Sequence, residues 1–347
     1  MSRVTMKMIA DKMNLSVSTV NRALINKGRI SEKTKEEILK TAIEMGYRPN
    51  PHAKSLSSKN VLKIAVICPN DLFFQSVIEG IDTYKRENED YRLELVYWIS
   101  GMQTVSEQAS ALRECLKNGV NGVLISPLHP DGLDKEMSRL SEEGIPVITF
   151  NNDISSGERV AYIGQNGQVA GALAGELMSM LLKPKSNVAL MVTTSAAMGL
   201  KQRADSFHQR MAQSKQSIEL IGAFKYDDNL ESAVNVALNI ISSHEVHGIY
   251  ANNMLGTCAI AYAVNKMNLS GNIITIGHDT NDVIDNFIRD GSLSVTLLQD
   301  PFLQGYQSLK LMFEHLYLKK EITNPLNYMR TVVMMQSNLE ESDGVKF

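Results

Sequence analysis

The 347-residue chain is 44% hydrophobic and 21% charged, the balance of a globular protein of two or three domains and not of a disordered one. No apolar run approaches the roughly 18 residues of a membrane span. Charge interrupts the N-terminal MSRVTMKMIADKMNL too often for a secretory leader, so the expected location is the cytoplasm. The net charge of −3 is unevenly placed: residues 1–60 hold twelve basic and five acidic side chains, which is +7, and the remainder is −10. A basic segment on an acidic body is drawn to a polyanion.

Three short helices are predicted in that basic segment. Thr5 caps the first, with Ile9, Ala10 and Met13 as its apolar positions, and Asn14-Leu15 breaks it. Ser16 caps the second, 17–24, which turns Val20, Ala23 and Leu24 inward. Ser31 caps the third, where Ile38, Ala42 and Met45 recur at helical spacing and Gly46 ends it. This is the helix-turn-helix arrangement. Val17, Ser18, Asn21 and Arg22 point outward from the second helix toward base edges, and Arg22 can bond both acceptors of a guanine. Thr5, Ser16, Thr19 and Asn26 are short polar groups suited to phosphate oxygens. Pro49 and Pro51 then enforce an extended linker, and Leu56 is apolar where exposure is expected.

The segments VTMKMIADKMNLSVSTVNRAL and ISEKTKEEILKTAIEMGYRPNPHAKSLSS resemble the headpiece and hinge helix of the LacI family of repressors over residues 4–58. The resemblance implies that Val17, Ser18 and Arg22 read bases and that Arg29 contacts DNA beside them. The hinge adds Ala53, Lys54 and Leu56, with Leu56 wedged into the central step of a palindrome from the minor groove. Asn21 departs from the serine usual there.

From residue 61 onward, short apolar runs alternate with amphipathic stretches. Strands are predicted at 63–67, 93–97, 122–126, 147–150, 188–192, 248–250, 273–277 and 294–298, with helical patterns between them, as at 105–118, 169–182 and 233–242. Such alternation implies two doubly wound lobes with parallel sheets, an α/β class joined to the all-α headpiece. Gly167, Gly171 and Gly175 form a stripe that reads as close helix–sheet packing. Cys68, Cys115 and Cys258 lie far apart with no CxxC pair and read as buried small hydrophobes.

Ligands of open α/β sheets sit at the carboxyl ends of strands. The residues there combine aromatic faces, carboxylates and amides, which suit a sugar ring and its hydroxyls. NDLFF, GIPVITF, IYANN, IGHDTND and TLLQDPFLQGY resemble the pocket segments of periplasmic sugar-binding proteins of the ribose-binding type, a likeness spanning most of 61–325. It implies the type I periplasmic-binding-protein fold, with Phe73 and Phe74 stacking on the sugar, Asp279 and Asn252 taking hydroxyls, and Gln299 bonding near the hinge. Asp71, Tyr226 and Lys201 line the same cleft. His129 stands where many of that class carry aspartate, which points away from ribose itself toward a polyol, an acid sugar or a phosphorylated ligand.

The expected organisation is a headpiece at 1–48, a hinge at 49–60 and an effector and dimerisation domain at 61–347. Its N-lobe is expected at about 61–163 and 301–325, and its C-lobe at about 164–300 and 326–347. GxGxxG after a strand, GxxxxGK[ST] and GxSxG are all lacking. His244-Glu245-Val246-His247 is one residue short of HExxH, so no enzyme, cofactor or metal is expected. The chain reads as a homodimeric regulator of a pseudo-palindromic double-stranded DNA operator, controlled by a sugar-like effector. No leucine heptads occur in 337–347 to make it a tetramer. Response to a purine or other corepressor, and a sugar-sensing module without DNA regulation, stay open as other readings.

Overall fold

The computed structural model describes residues 4–24, 30–45, 61–99, 103–155, 158–214 and 217–342. The chain divides into a small helical unit and a large α/β unit that begins at Leu62. In the first, α1 (Met6–Met13), α2 (Val17–Leu24) and α3 (Glu32–Glu44) close over Ile9, Ala10, Val20, Ala23, Ile38 and Ala42. The expected caps form: Thr5 Oγ1 accepts from Met8 N, and Ser31 Oγ accepts from Thr34 N. Asn14 adopts the left-handed conformation that stops α1.

The large unit holds two six-stranded sheets. The first runs through β1 (Leu62–Ile67), α4 (Leu72–Glu87), β2 (Leu93–Trp98), α5 (Val105–Lys117), β3 (Gly122–Ile125), α6 (Asp134–Glu142), β4 (Val147–Phe150) and β5 (Ala161–Gln165). The second begins with α7 (Gly167–Leu181), β6 (Asn187–Thr193), α8 (Met198–Ala212), β7 (Glu219–Tyr226), α9 (Leu230–Ser243) and β8 (Gly248–Ala251). It continues through α10 (Met254–Lys266), β9 (Ile274–His278), α11 (Asp282–Arg289) and β10 (Val295–Leu298). Then come α12 (Pro301–Leu316), β11 (Leu326–Met329), β12 (Val332–Met334) and α13 (Gln336–Ser342).

The strand orders are β2-β1-β3-β4-β5-β11 and β7-β6-β8-β9-β10-β12, one topology used twice, with every pairing parallel except β10–β12. Helices cover both faces, so β3, β4 and β8 are buried at every residue and read as unbroken apolar runs. All eight strands expected from such runs are present, each end within one residue. β5, β7, β11 and β12 were not foreseen. β7 and the last two are edge strands of mixed exposure, and β5 carries Gly164 and Gln165 in a five-residue run.

Two sequence expectations need correction. The first concerns the glycine stripe, which faces a helix and not the sheet. A Cβ on Gly171 would overlap the Arg203 carbonyl of α8, and one on Gly175 would lie 2.9 Å from Arg210 Cβ. The first lobe repeats this device: a Cβ on Gly80 of α4 would overlap the Phe302 carbonyl of α12, and one on Gly305 the Val77 carbonyl. The second concerns the lobe boundaries. β5 reaches Gln165 in the first sheet, and Leu326–Met329 pair with it, so the last crossover follows Met329 and not residue 325. The chain passes between the sheets three times, after Gln165, Leu298 and Met329.

Candidate functional site

On α2, Val20 and Ala23 are buried while Val17, Ser18, Asn21 and Arg22 are exposed, so a polar stripe with one apolar member lies free along the helix. Ser16 Oγ accepts from Thr19 N at 3.1 Å and meets Thr19 Oγ1 at 2.8 Å, which caps α2. Arg22 Nη2 donates to Ser18 Oγ at 3.1 Å, one turn back. The arrangement presents a guanidinium and a hydroxyl side by side on a helix short enough for a groove. Asn26, Arg29, Ala53, Lys54 and Leu56 lie outside the described residues.

In the large unit, polar side chains converge where both sheets end in carboxyl termini beside the crossovers. Asp279 follows β9 with φ of 66°, a left-handed conformation, and is 8% exposed. Gln299 follows β10 and donates from Nε2 to Asp279 Oδ1 at 2.7 Å, while its Oε1 accepts from Asn151 Nδ2 of the first lobe at 3.3 Å. Gln304 Nε2 in turn donates to the Gln299 carbonyl at 2.9 Å. Asn151 is also left-handed, and its carbonyl accepts from Tyr162 Oη at 2.9 Å. Asp153 beside it is gripped by Arg159 through Nε at 2.5 Å and Nη2 at 2.6 Å.

Arg203 is the charged centre of this junction. It is 4% exposed, with Nε donating to Gln165 Oε1 and Nη1 to the Asn252 carbonyl, each at 3.0 Å. Burial raises the Asp279 carboxyl above its ordinary value; Arg203 and the Gln299 bond offset part of that, and Asp71 across the cleft adds to it. Beneath it, His278 is fully buried with Nε2 2.8 Å from Tyr250 Oη, and burial with Arg203 nearby holds its imidazole well below 6.5. Cys68, at the end of β1, is pushed up to about 12 by burial, with Asp71 adding to the shift, and is inert as a nucleophile. Among the described residues no group of three or more His, Cys, Asp or Glu is placed to hold a metal ion.

The residues expected at this cleft divide into those that meet and those that do not. Asp71 follows β1, is exposed and caps α4 by accepting from Phe74 N at 3.0 Å. Phe73 is half-buried, whereas Phe74 is buried edge-on between Phe73 and Phe150. Asn252 is buried, with Nδ2 donating to the Leu200 carbonyl at 3.0 Å. His129 is half-exposed after β3, and its Nδ1 accepts from Asp131 N at 3.0 Å. Lys201 is exposed on α8. Tyr226 is turned away from the junction of Arg203, Asp279 and Gln299. Its ring is sealed into the core beneath α9 and α10, with its hydroxyl on the Asn253 side chain that caps α10. Sequence reasoning placed Lys201 to Arg203 at the cleft but gave the ligand role to Lys201; helical spacing could have favoured Arg203, which shares one buried face with Phe207.

Comparison with known proteins accords with this geometry. The model described as "Periplasmic binding protein domain" matches residues 64–321, and "Bacterial regulatory proteins, lacI family" matches 5–50. The xylose/arabinose-binding protein XylF of Sulfolobus acidocaldarius is 25% identical over 253 residues, 68% of this chain and 62% of the relative, so the match spans under two thirds of that protein. The HTH-type transcriptional regulator DegA of Bacillus subtilis is 21% identical over 281 residues, 80% of this chain and 82% of the relative. The crystal structure of an ABC transporter solute binding protein from Burkholderia graminis in complex with D-arabinose has a TM-score of 0.75 at 22% identity, covering 81% of this chain and 98% of that one, a likeness of fold. Both matched families are defined by binding and regulation. The chain therefore belongs to the periplasmic-binding-protein domain family over residues 64–321, about three quarters of its length, and carries at 5–50 a helix-turn-helix of the lacI regulatory type.

Proposed function

We propose that the chain is a repressor that binds a pseudo-palindromic operator as a homodimer and releases or tightens its grip when an uncharged sugar or polyol enters the cleft between the lobes. The observation that carries this reading is the convergence of Arg203, Asp279, Gln299 and Asn151 from both lobes on one junction. A ligand bonded to both lobes favours their closure over the open form, which is the differential affinity that coupling to DNA requires. The solute binding protein whose title names D-arabinose, and XylF by its name, support a sugar over a purine.

The charge balance supports a neutral ligand. Asp71 and Asp279 face one guanidinium, and two of its N–H groups are already engaged. His129 is bonded to the Asp131 backbone, with that residue's carboxylate 3.9 Å away. A phosphate or acid group would bring a further negative charge to a buried guanidinium that Asp279 already neighbours, which costs more than seating a neutral ligand. The acid-sugar and phosphorylated options raised by His129 are therefore disfavoured.

Val17, Ser18, Asn21 and Arg22 read bases in this account, while Thr5, Ser16 and Thr19 meet phosphates. A regulator acting on DNA in this way works in the cytoplasm. Among the described residues no helix is long and apolar enough to cross a membrane. The test is thermal melting against sugars, polyols, sugar phosphates, sugar acids and purines. A ligand of the folded state raises stability by about 2.7 kcal/mol at a hundredfold excess over Kd. Hits among neutral sugars or polyols support the reading; hits confined to purines or phosphates replace it. Selection of an operator from random DNA, followed by Arg22→Ala, tests the other half: about 1–3 kcal/mol should be lost with preference relaxed at one position.

A further inference from the structure

One carboxamide touches every connection between the lobes. Gln165 ends β5 and so opens the first crossover, and it is 4% exposed. Its Nε2 donates to Thr331 Oγ1 at 3.1 Å, in the third crossover, and reaches the Leu298 carbonyl at 3.5 Å, in the second. Its Oε1 accepts from Arg203 Nε at 3.0 Å. The amide has one orientation in this setting, because a guanidinium only donates and a backbone carbonyl only accepts. Oxygen must face Arg203 and nitrogen must face Leu298 and Thr331.

We propose that Gln165 is a positioning residue that holds the Arg203 guanidinium at the cleft and transmits its displacement to all three crossovers. Arg203 reaches the junction from α8 in the second lobe, while Gln165 is anchored in the first-lobe sheet. Of the guanidinium's two fixed bonds, the one to the Asn252 carbonyl stays within the second lobe. Among the described residues, the Gln165 bond is the one of the two that spans the lobes, so it aims the guanidinium relative to the first-lobe face. The Thr331 bond keeps the amide from turning away. A ligand that draws on Arg203 therefore strains the crossover that carries the chain from β11 into β12.

The effector part of this role rests on the reading of the cleft as the effector site, but the positioning does not, and the two are tested separately. Arginine Nε–H exchange is measured on the 15N-labelled full chain for wild type, Gln165→Leu, Thr331→Val and Thr331→Ser, with Arg203 assigned by Arg203→Lys. Arg159 Nε, bonded to Asp153, is the internal control. Thr331→Val removes no direct partner of Arg203, yet it should speed Arg203 Nε–H exchange about threefold to tenfold, the factor for losing one hydrogen bond. Arg159 should be unchanged, Thr331→Ser should restore the wild-type rate, and Gln165→Leu should exceed both. Arg203 exchange unaltered in Thr331→Val, or Arg159 accelerated equally, overturns the proposal. Calorimetry with D-arabinose, D-ribose and xylitol follows. For any that binds wild type, Thr331→Val should weaken binding by about the same threefold to tenfold, and an unchanged Kd overturns the transmission. If none binds wild type, the effector reading fails while exchange still decides the role of Gln165.

Discussion

Gln299 Nε2 lies 2.7 Å from Asp279 Oδ1, and the same amide receives Asn151 Nδ2 on its oxygen at 3.3 Å. Asp279 belongs to the second lobe and Asn151 to the first, so this side chain spans the cleft at the base of the middle crossover. Gln299→Leu would leave a buried carboxylate and a half-buried amide each one partner short. The expected cost in effector affinity is about 1–3 kcal/mol, read by calorimetry with whichever sugar shifts the wild-type melt. Affinity within twofold of wild type would show that Gln299 only fills space.

The pH dependence of stability should carry the mark of Asp279. Its carboxyl is raised above the ordinary 3.8, chiefly by burial. The ionised form is therefore costlier folded than unfolded. The residue's contribution is fully present below 3.8 and is lost as pH climbs through the raised value. Asp279→Asn removes that loss, so the variant's melting advantage over wild type should grow with pH across the acidic range and then level. A difference that does not change with pH would argue against the shift.

His278 should stay neutral in acid well past 6.5, because its ring is fully buried and its protonated form is further opposed by Arg203. A group depressed in the folded state contributes stability above its unfolded value and loses it as pH falls. In NMR the His278 ring resonances, assigned by substitution, should therefore show their midpoint below the ordinary 6.5. A midpoint at or above 6.5 would mean that the pocket around Tyr250 admits water.

Gly171→Ala and Gly199→Ala make a matched pair across the α7–α8 contact. A Cβ on Gly171 would overlap the Arg203 carbonyl, whereas one on Gly199 meets nothing within 4 Å. The first should cost about 1–3 kcal/mol by overpacking and should also disturb the residue that carries the cleft's guanidinium. The second should be neutral or stabilise by up to about 1 kcal/mol. Urea melts of the two variants decide it; equal effects would mean that the helices can part at no cost.

In the headpiece, Ser16→Ala removes the side-chain acceptor for Thr19 N. Loss of such a cap costs about 1 kcal/mol, and the cost should fall on the helical unit alone. Hydrogen exchange in α2 should rise while the α/β unit is unchanged. Exchange rising in both units would show that they do not fold independently.

The fold was legible where burial is uniform. β3, β4 and β8 are covered on both faces, so their composition alone marks them, and the headpiece helices carry caps that act within four residues. β7 was missed because an edge strand needs apolar residues only intermittently, and β11 and β12 because they owe their existence to a neighbour and not to their own three or four residues. The cleft was legible in outline from the polar residues after each strand, since the topology of an open sheet puts its ligand there.

Which of those residues meet was a matter of tertiary structure. Tyr226 closes the edge strand β7 and Asp279 follows the buried β9, yet Tyr226 turns under α9 and α10 while Asp279, held left-handed, turns toward Gln299. Lys201 and Arg203 are neighbours on one helix, and only the side of α8 that faces the junction separates a solvated cation from a buried one. Periodicity and caps are local and survive in the sequence by themselves. Partners such as Gln165 and Arg203, or Gln299 and Asn151, stand 38 and 148 residues apart. Only the three crossovers bring them within a hydrogen bond, because the bond depends on where two lobes are pinned and not on either residue's neighbours in the chain.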